Sequence, residues 1–337
     1  MKPTSFVMAF SFACVASAAQ ADPVADFYRD KVINISVGFG PGGGYDLHAR
    51  TLARHFGKYV PGNPTVIVKN SPGGAGLTLV NTINNVAARD GTELATFDRS
   101  IPIEPLIGAS HAKFDPKAMT WIGSTSREVS TCVAWETAPV KTIEDLYKTE
   151  LLVSGTGPAA DVVVYPRMMN AVLGTKFKIV TGYKDSAEAL LAMERGETRG
   201  FCAWGWSTMM AIRPEWVKAG KIRPLVQFGQ KKHPEHLDVP LVLDLARTPQ
   251  DRAALEAIIA PQLFARPFAG PPGVPPERVA ALRKAFAATL NDPAYRADAE
   301  KAGIEYDLVR GEEIDEMLAQ VYATPKDVID RIRAALK

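Results

Sequence analysis

Short apolar runs rich in β-branched residues alternate along this chain with segments whose apolar positions recur every three to four residues. "VINISVGF" (32–39) and "TVIVKN" (65–70) read as strands, and each leads through a glycine turn into a helical pattern. In the first helix Tyr45, Ala49, Leu52 and Phe56 share one face, and Gly57 with Lys58 marks its end. In the second, Leu79, Ile83, Val86 and Ala87 form the expected buried stripe, after which Asp90-Gly91 turns the chain into a third strand, "ELATF". The pattern then returns. "LLVSGTGPAAD" (151–161) is strand, glycine loop and helix start, with Pro166 expected to delay or kink that helix. "FKIVTGYKDSAEALLAMERG" (177–196) repeats the unit, with Asp185 and Glu188 at capping-box spacing. "GFCAWGW" (200–206) reads as a strand. Toward the C-terminus, Val279, Leu282, Phe286 and Leu290 line one face of a helix opened by Pro275-Pro276, and "IEYDLV" offers a last strand before the helix "GEEIDEMLAQVY". Two such series imply two α/β lobes with mainly parallel sheets covered by helices.

The first 21 residues depart from this pattern. One lysine, no acidic residue, an apolar stretch too brief to span a bilayer and the closing Ala19-Gln20-Ala21 read as a secretory signal cut before Asp22. Its removal leaves 316 of the 337 residues and takes away Lys2, so the formal charge falls from +2 to +1. That balance, without a basic tract, argues against nucleic acid and anionic membrane as partners. Two cysteines remain, Cys132 and Cys202. In an oxidising compartment they are a candidate disulfide, and two buried thiols are the alternative.

The glycine turns carry the chemistry. Gly38, Gly40 and Gly43 form a literal G-x-G-x-x-G, but no carboxylate stands about twenty residues on to hold a ribose, Pro41 interrupts the loop, and no G-K-[ST] follows. Nucleotide binding is therefore set aside and no cofactor is expected. Instead the chain builds one device twice, "FGPGGGYD" (39–46) and "NSPGGAGL" (70–77), each between a strand and a helix. Both loops emerge where the strands end, the place where open α/β folds bind ligands. Glycines expose backbone N–H groups, and each helix start adds unsatisfied donors and partial positive charge. Two such ends aimed at one point suit a carboxylate or phosphate. Beside them Asp46 is read as a brace that accepts loop N–H bonds, and Tyr45 as either pocket wall or buried stripe.

The ordered set "VGFGPGGGYDLHAR", "VIVKNSPGGAGL", "AARDGTEL", "GTGP", "VTGYKDSAEALLAMERGE", "AGKIRPL", "VPLVLDLA" and "GPPGVPPERVAALRKAF" resembles the extracytoplasmic receptors of tripartite tricarboxylate transporters, the Bordetella uptake gene family, over the whole mature chain. The resemblance implies a type II periplasmic-binding fold. Lobe 1 would comprise 22–127 plus 240–337 and lobe 2 would comprise 128–239, with hinge crossings near 125–130 and 225–240. It also implies a periplasmic monomer that holds a small carboxylate through backbone N–H groups and delivers it to a membrane permease. Carried over onto this sequence, the ligand-binding positions are Phe39, Gly43, Tyr45 and Asp46 on the first loop and Gly74 and Ala75 on the second. Thr156, Gly157, Ala159, Asp161 and Tyr183 are those of the second lobe.

This sequence departs from the family at Phe97-Asp98-Arg99-Ser100, where small polar residues are usual. Arg99 and Ser100 are added to the candidate site, Arg99 either as a bidentate partner of a second ligand carboxylate or as one half of an internal ion pair with Asp98 or Glu104. Tyr45, Trp204 and Trp206 replace smaller residues. They either shape the pocket for a planar or aromatic acid or pack the hinge. No G-x-S-x-G elbow or zinc-type histidine spacing is present, so no catalytic role is assigned. A di- or aromatic carboxylate is the expected ligand. A sensor subunit signalling to a membrane kinase is the alternative.

Overall fold

The structure is a computed structural model that describes residues 22–336, so the expected signal segment lies outside the described residues. Among the described residues eleven strands are distributed over two sheets. In chain order they are β1 (Val32–Val37), β2 (Thr65–Asn70), β3 (Glu93–Thr96), β4 (Thr120–Ser124), β5 (Ser130–Trp135), β6 (Leu151–Gly155), β7 (Phe177–Thr181), β8 (Gly200–Gly205), β9 (Ile222–Phe228), β10 (Pro267–Gly270) and β11 (Val309–Arg310). One sheet has the order β11-β4-β10-β3-β1-β2 and the other β7-β6-β8-β5-β9.

Each sheet has a parallel nucleus, β2-β1-β3 in the first and β7-β6-β8 in the second. The strands next to the interlobe connections, β4, β5, β9 and β10, all join antiparallel, as does the short β11. The α/β two-lobe class therefore holds, with mixed sheets where mainly parallel ones were expected. The βα series build the parallel nuclei, and the segments running between the sheets enter from the opposite direction.

The helix after β1, Gly44–Phe56, buries Tyr45, Ala49, Leu52 and Phe56 as its spacing requires. Burial of each large side chain contributes about 1.5–3 kcal/mol. It packs on β1, β2 and the helices Pro276–Asn291 and Pro293–Lys301. The second helix, Leu77–Asn85, stops one residue before Val86, which is 78% exposed, so the buried stripe runs through Leu79, Val80 and Ile83 instead. Pro166 sits inside helix Asp161–Leu173 without delaying its start. Asp185 caps the next helix by accepting from the Glu188 N–H at 2.9 Å.

Between the sheets, residues 125–128 run beside 262–266. Thr125 N–H donates to Arg266 O, Ala265 N–H to Ser126 O and Glu128 N–H to Gln262 O. Residues 225–228, the start of the second crossing expected near 225–240, lie in β9 of the five-stranded sheet. Helices Pro249–Ile259 and Lys326–Leu336 both pack on Asp161–Leu173. Cys132 on β5 and Cys202 on the adjacent β8 are joined by a disulfide, and both are fully buried. Among the described residues no helix is long and apolar enough to cross a membrane.

Candidate functional site

The two glycine loops meet each other and the opposite lobe. A Cβ on Gly157, in the loop after β6, would lie 2.8 Å from the Gly74 carbonyl carbon and 3.0 Å from Ala75 N. Backbone therefore faces backbone across the cleft. The second loop achieves this with consecutive positive φ angles at Gly74, Ala75 and Gly76 (57°, 62° and 95°), a conformation that costs a residue with a Cβ. In the first loop Asp46 accepts from Gly42 N–H (3.0 Å), Asn70 Nδ2 (2.8 Å) and Arg50 Nε (3.0 Å). Burial alone would raise its carboxyl, but the bonds from Arg50, Gly42 and Asn70 outweigh that and hold it below the usual range.

Beside these loops a cluster of charged side chains is almost wholly buried. Arg99, on the turn after β3, donates from Nε to Asp161 Oδ2 (2.6 Å), from Nη1 to Glu128 Oε2 (2.9 Å) and from Nη2 to Ala203 O (3.2 Å). Arg266, just before β10, reaches the other oxygen of Glu128 at 2.8 Å and lies 4.5 Å from the centre of the Tyr45 ring. The ion pair foreseen for Arg99 thus forms, with Asp161 and Glu128 as partners rather than Asp98 or Glu104. Arg99 follows β3 of the six-stranded sheet and Asp161 opens the helix behind the five-stranded one, so the pair ties the lobes together. Glu128 sits on the crossing segment. Burial would raise its carboxyl, yet Arg266 and Arg99 overcome this and keep it below the usual range.

Asp98 has weaker company. Its Oδ1 accepts from Ser100 N–H (2.9 Å) and Asp161 N–H (3.3 Å). Burial, and next the Asp161 carboxylate, hold its carboxyl well above the usual range. Tyr45 accepts from Arg99 N–H at 3.0 Å and stacks on Phe39 with ring centres 4.7 Å apart, so it is pocket wall and buried stripe at once.

The cleft that remains is a cavity of about 30 Å³, room for one or two waters. Phe39, Tyr45, Arg99, Thr156, Asp161 and Trp204 all line it, together with the start of the first helix at Gly44. Gly43, Asp46, Gly74, Ala75, Ser100, Gly157, Ala159 and Tyr183 are not in its wall. Trp206 turns away: its Nε1 donates to Glu235 at 2.7 Å and its ring stands edge-on to His236. Several wall groups lack partners. Thr156 Oγ1, Trp204 Nε1 and Arg266 Nε are buried with no hydrogen bond. Sequence reasoning missed Arg266 and Glu128, and weighed Asp98 only as a partner for Arg99, not as a wall residue. The signal for the first was available: a lone charge inside the apolar run "LFARPFAG" needs a buried partner.

A family profile described as "Tripartite tricarboxylate transporter family receptor" matches residues 49–333. A curated relative, the UPF0065 protein in the gbd 5' region of Cupriavidus necator, is 24% identical over 95% of this chain and 93% of its own. The solved structure of periplasmic binding protein BugD superposes with a TM-score of 0.71 at 19% identity, covering 91% of this chain and 98% of its own. MatC of Rhodopseudomonas palustris, solved with bound malate, gives 0.68 at 18% identity and covers 91% and 99%. These similarities are to binding proteins and receptors, not enzymes.

Proposed function

The chain belongs to the tripartite tricarboxylate transporter receptor family, and from that premise we propose that it is exported to the periplasm, captures a small carboxylate between its lobes and hands it to a membrane permease. The observation that carries this reading is the closed interlobe cavity, walled by two buried guanidiniums and by donors without acceptors. Donors that water cannot reach are costly unless an acceptor arrives, and a carboxylate offers two acceptor oxygens. The helix start at Gly44 adds backbone N–H groups to the same wall.

Closure follows from differential contact. Only the closed form lets Arg99 and Arg266 from one lobe and Thr156 and Trp204 from the other touch the same guest, so a ligand shifts the population toward it. We place the hinge where residues 125–128 pair with 262–266. The second glycine loop then serves closure rather than recognition, because Gly74 and Ala75 are what Gly157 meets.

A thermal-shift screen of the mature chain against mono-, di-, tri- and aromatic carboxylates tests this. A ligand at 100 times its Kd stabilises the native state by about 2.7 kcal/mol, several degrees of Tm. If no carboxylate raises Tm while sugars or cations do, the reading is wrong.

A further inference from the structure

We propose that the guest is a zwitterion, an amino carboxylate that threads between Arg99 and Asp161, with its carboxylate on the arginines and its ammonium on Asp161 and Asp98. The inference rests on the carboxylate-receptor reading and narrows it.

The argument is one of charge and hydrogen-bond capacity. The cluster holds three carboxyl groups, Asp98, Glu128 and Asp161, and two guanidiniums, Arg99 and Arg266, each at most 6% exposed. Glu128 is held by both guanidiniums and belongs to the scaffold. Asp98 and Asp161 are left to share what remains of Arg99, and only Asp161 contacts it. One carboxyl is in surplus, and the upward shift of Asp98 is the consequence.

The opposite need exists in the same cavity. Trp204 Nε1 and Arg266 Nε can only donate, and neither has an acceptor. The cavity therefore asks for acceptor oxygens at one end and for a cationic donor at the other. A dicarboxylate answers the first need and worsens the second, since any displacement of Asp161 from Arg99 leaves two aspartates and an extra anion in one dry site. A zwitterion breaks one ion pair and makes two, and the charge of the buried cluster is unchanged. With about 30 Å³ available, the lobes must part to admit it. Seated between Arg99 and Asp161, it then touches both lobes. The aromatic and aliphatic wall, Phe39, Tyr45, Val162, Phe201 and Ile212, is left for the guest's apolar body.

Titration calorimetry on the mature protein tests this with matched probes: the twenty protein amino acids and 4-aminobutyrate, each beside its des-amino acid and its N-acetyl derivative, with malate and adipate as plain diacids. The expected result is an amino carboxylate that binds at least 100-fold tighter than both of its matched derivatives and tighter than either diacid. In Asp161→Asn that ratio should fall below tenfold, and in Asp98→Asn, which mimics the protonated acid, the fold should persist. Des-amino acids or diacids binding as tightly as the amino forms overturn the zwitterion while leaving the receptor reading intact. No binding by any carboxylate overturns both. The wild-type comparison does not depend on the aspartate variants folding.

Discussion

The cleft has two neighbouring regions built on opposite plans. The glycine loops are made of backbone, occupy contiguous motifs, and in the closed form are already filled: Gly157 of one lobe sits against Gly74 and Ala75 of the other. The Arg99 cluster is made of five side chains contributed from four places along the chain, between Asp98 and Arg266, and it is unfinished, with buried donors still unpaired. The loops give the lobes surfaces that fit. The cluster gives the fit something to select. A motif conspicuous in sequence is therefore the mechanical half of the site, and the discriminating half is dispersed.

The largest expected effect comes from breaking the cluster. Arg99→Ala leaves Asp161 with no cationic partner and Glu128 with one, so urea unfolding should show a loss of about 3–5 kcal/mol. Replacing both ends of the interlobe pair, Arg99→Leu with Asp161→Leu, should recover at least half of that, because the cost lies in the orphaned charge and not in the absence of the pair. A loss below about 1 kcal/mol in Arg99→Ala would show that the cluster is solvated and does not bind the lobes.

Next in size is an acid-sensitive group behind the cluster. His48, on the first helix, bonds through Nδ1 to Thr125 Oγ1 at 2.9 Å on the crossing segment and is fully buried. Burial, and then the positive charge of Arg266, push its pKa down to about 3. The native state keeps it neutral, whereas the unfolded chain protonates it near 6.5. The stability it contributes is thus complete above pH 6.5 and is lost as pH falls toward 3, at about 1.4 kcal/mol per unit. Unfolding free energies from urea titrations at pH 7 and pH 4.5 should differ by about 2.5 kcal/mol more in the wild type than in His48→Gln. Equal differences would place the acid response elsewhere.

Legibility in the sequence follows the range of the interaction. The strand–helix units were readable because periodicity is local: "VINISV", "TVIVKN" and "LLVSG" are strands where the pattern put them, and Asp185 caps its helix as the spacing announced, while Glu188 accepts from Lys184 N–H and not from Asp185. Val86 was misplaced because a helix end is fixed by the following turn, not by the apolar stripe. The direction of β4, β5, β9 and β10 was unreadable, since pairing sense depends on where the chain crosses between lobes. At the site, Arg99 and Asp161 were each singled out, but their pairing spans 62 positions and no local rule joins them. Arg266 carried only the weaker signal of a charge embedded among apolar neighbours, and Glu128, in the polar stretch "STSREVS", carried none.

A smaller effect should come from the loops. Gly157→Ala puts a methyl group against backbone of the opposite lobe, which cannot step aside as a flexible side chain would. Overpacking of this kind costs about 1–3 kcal/mol, paid here only on closure, so affinity for the tightest-binding carboxylate should weaken about 5- to 150-fold. Tm without ligand should stay within a few degrees of wild type. Unchanged affinity would mean that the loops stand apart in the ligand-bound form.

The smallest effect separates brace from ligand contact within the first loop itself. Asp46 spends its oxygens on Gly42 N–H, Asn70 and Arg50, and it does not line the cavity. Its work is to hold the turn between β1 and the helix so that Gly44 and Tyr45 face the cleft. Asp46→Ala should therefore cost about 1–2 kcal/mol in urea unfolding, the worth of a charge-assisted hydrogen bond or two with a half-exposed arginine. Affinity should drop less than tenfold, because the loop loosens while every cavity-wall group remains. A direct ligand contact would give the reverse: stability nearly unchanged and affinity lower by a hundredfold. Since the loop is scaffold and the cluster is selector, the two losses belong in different measurements, and finding both in the binding isotherm would erase the distinction between the regions.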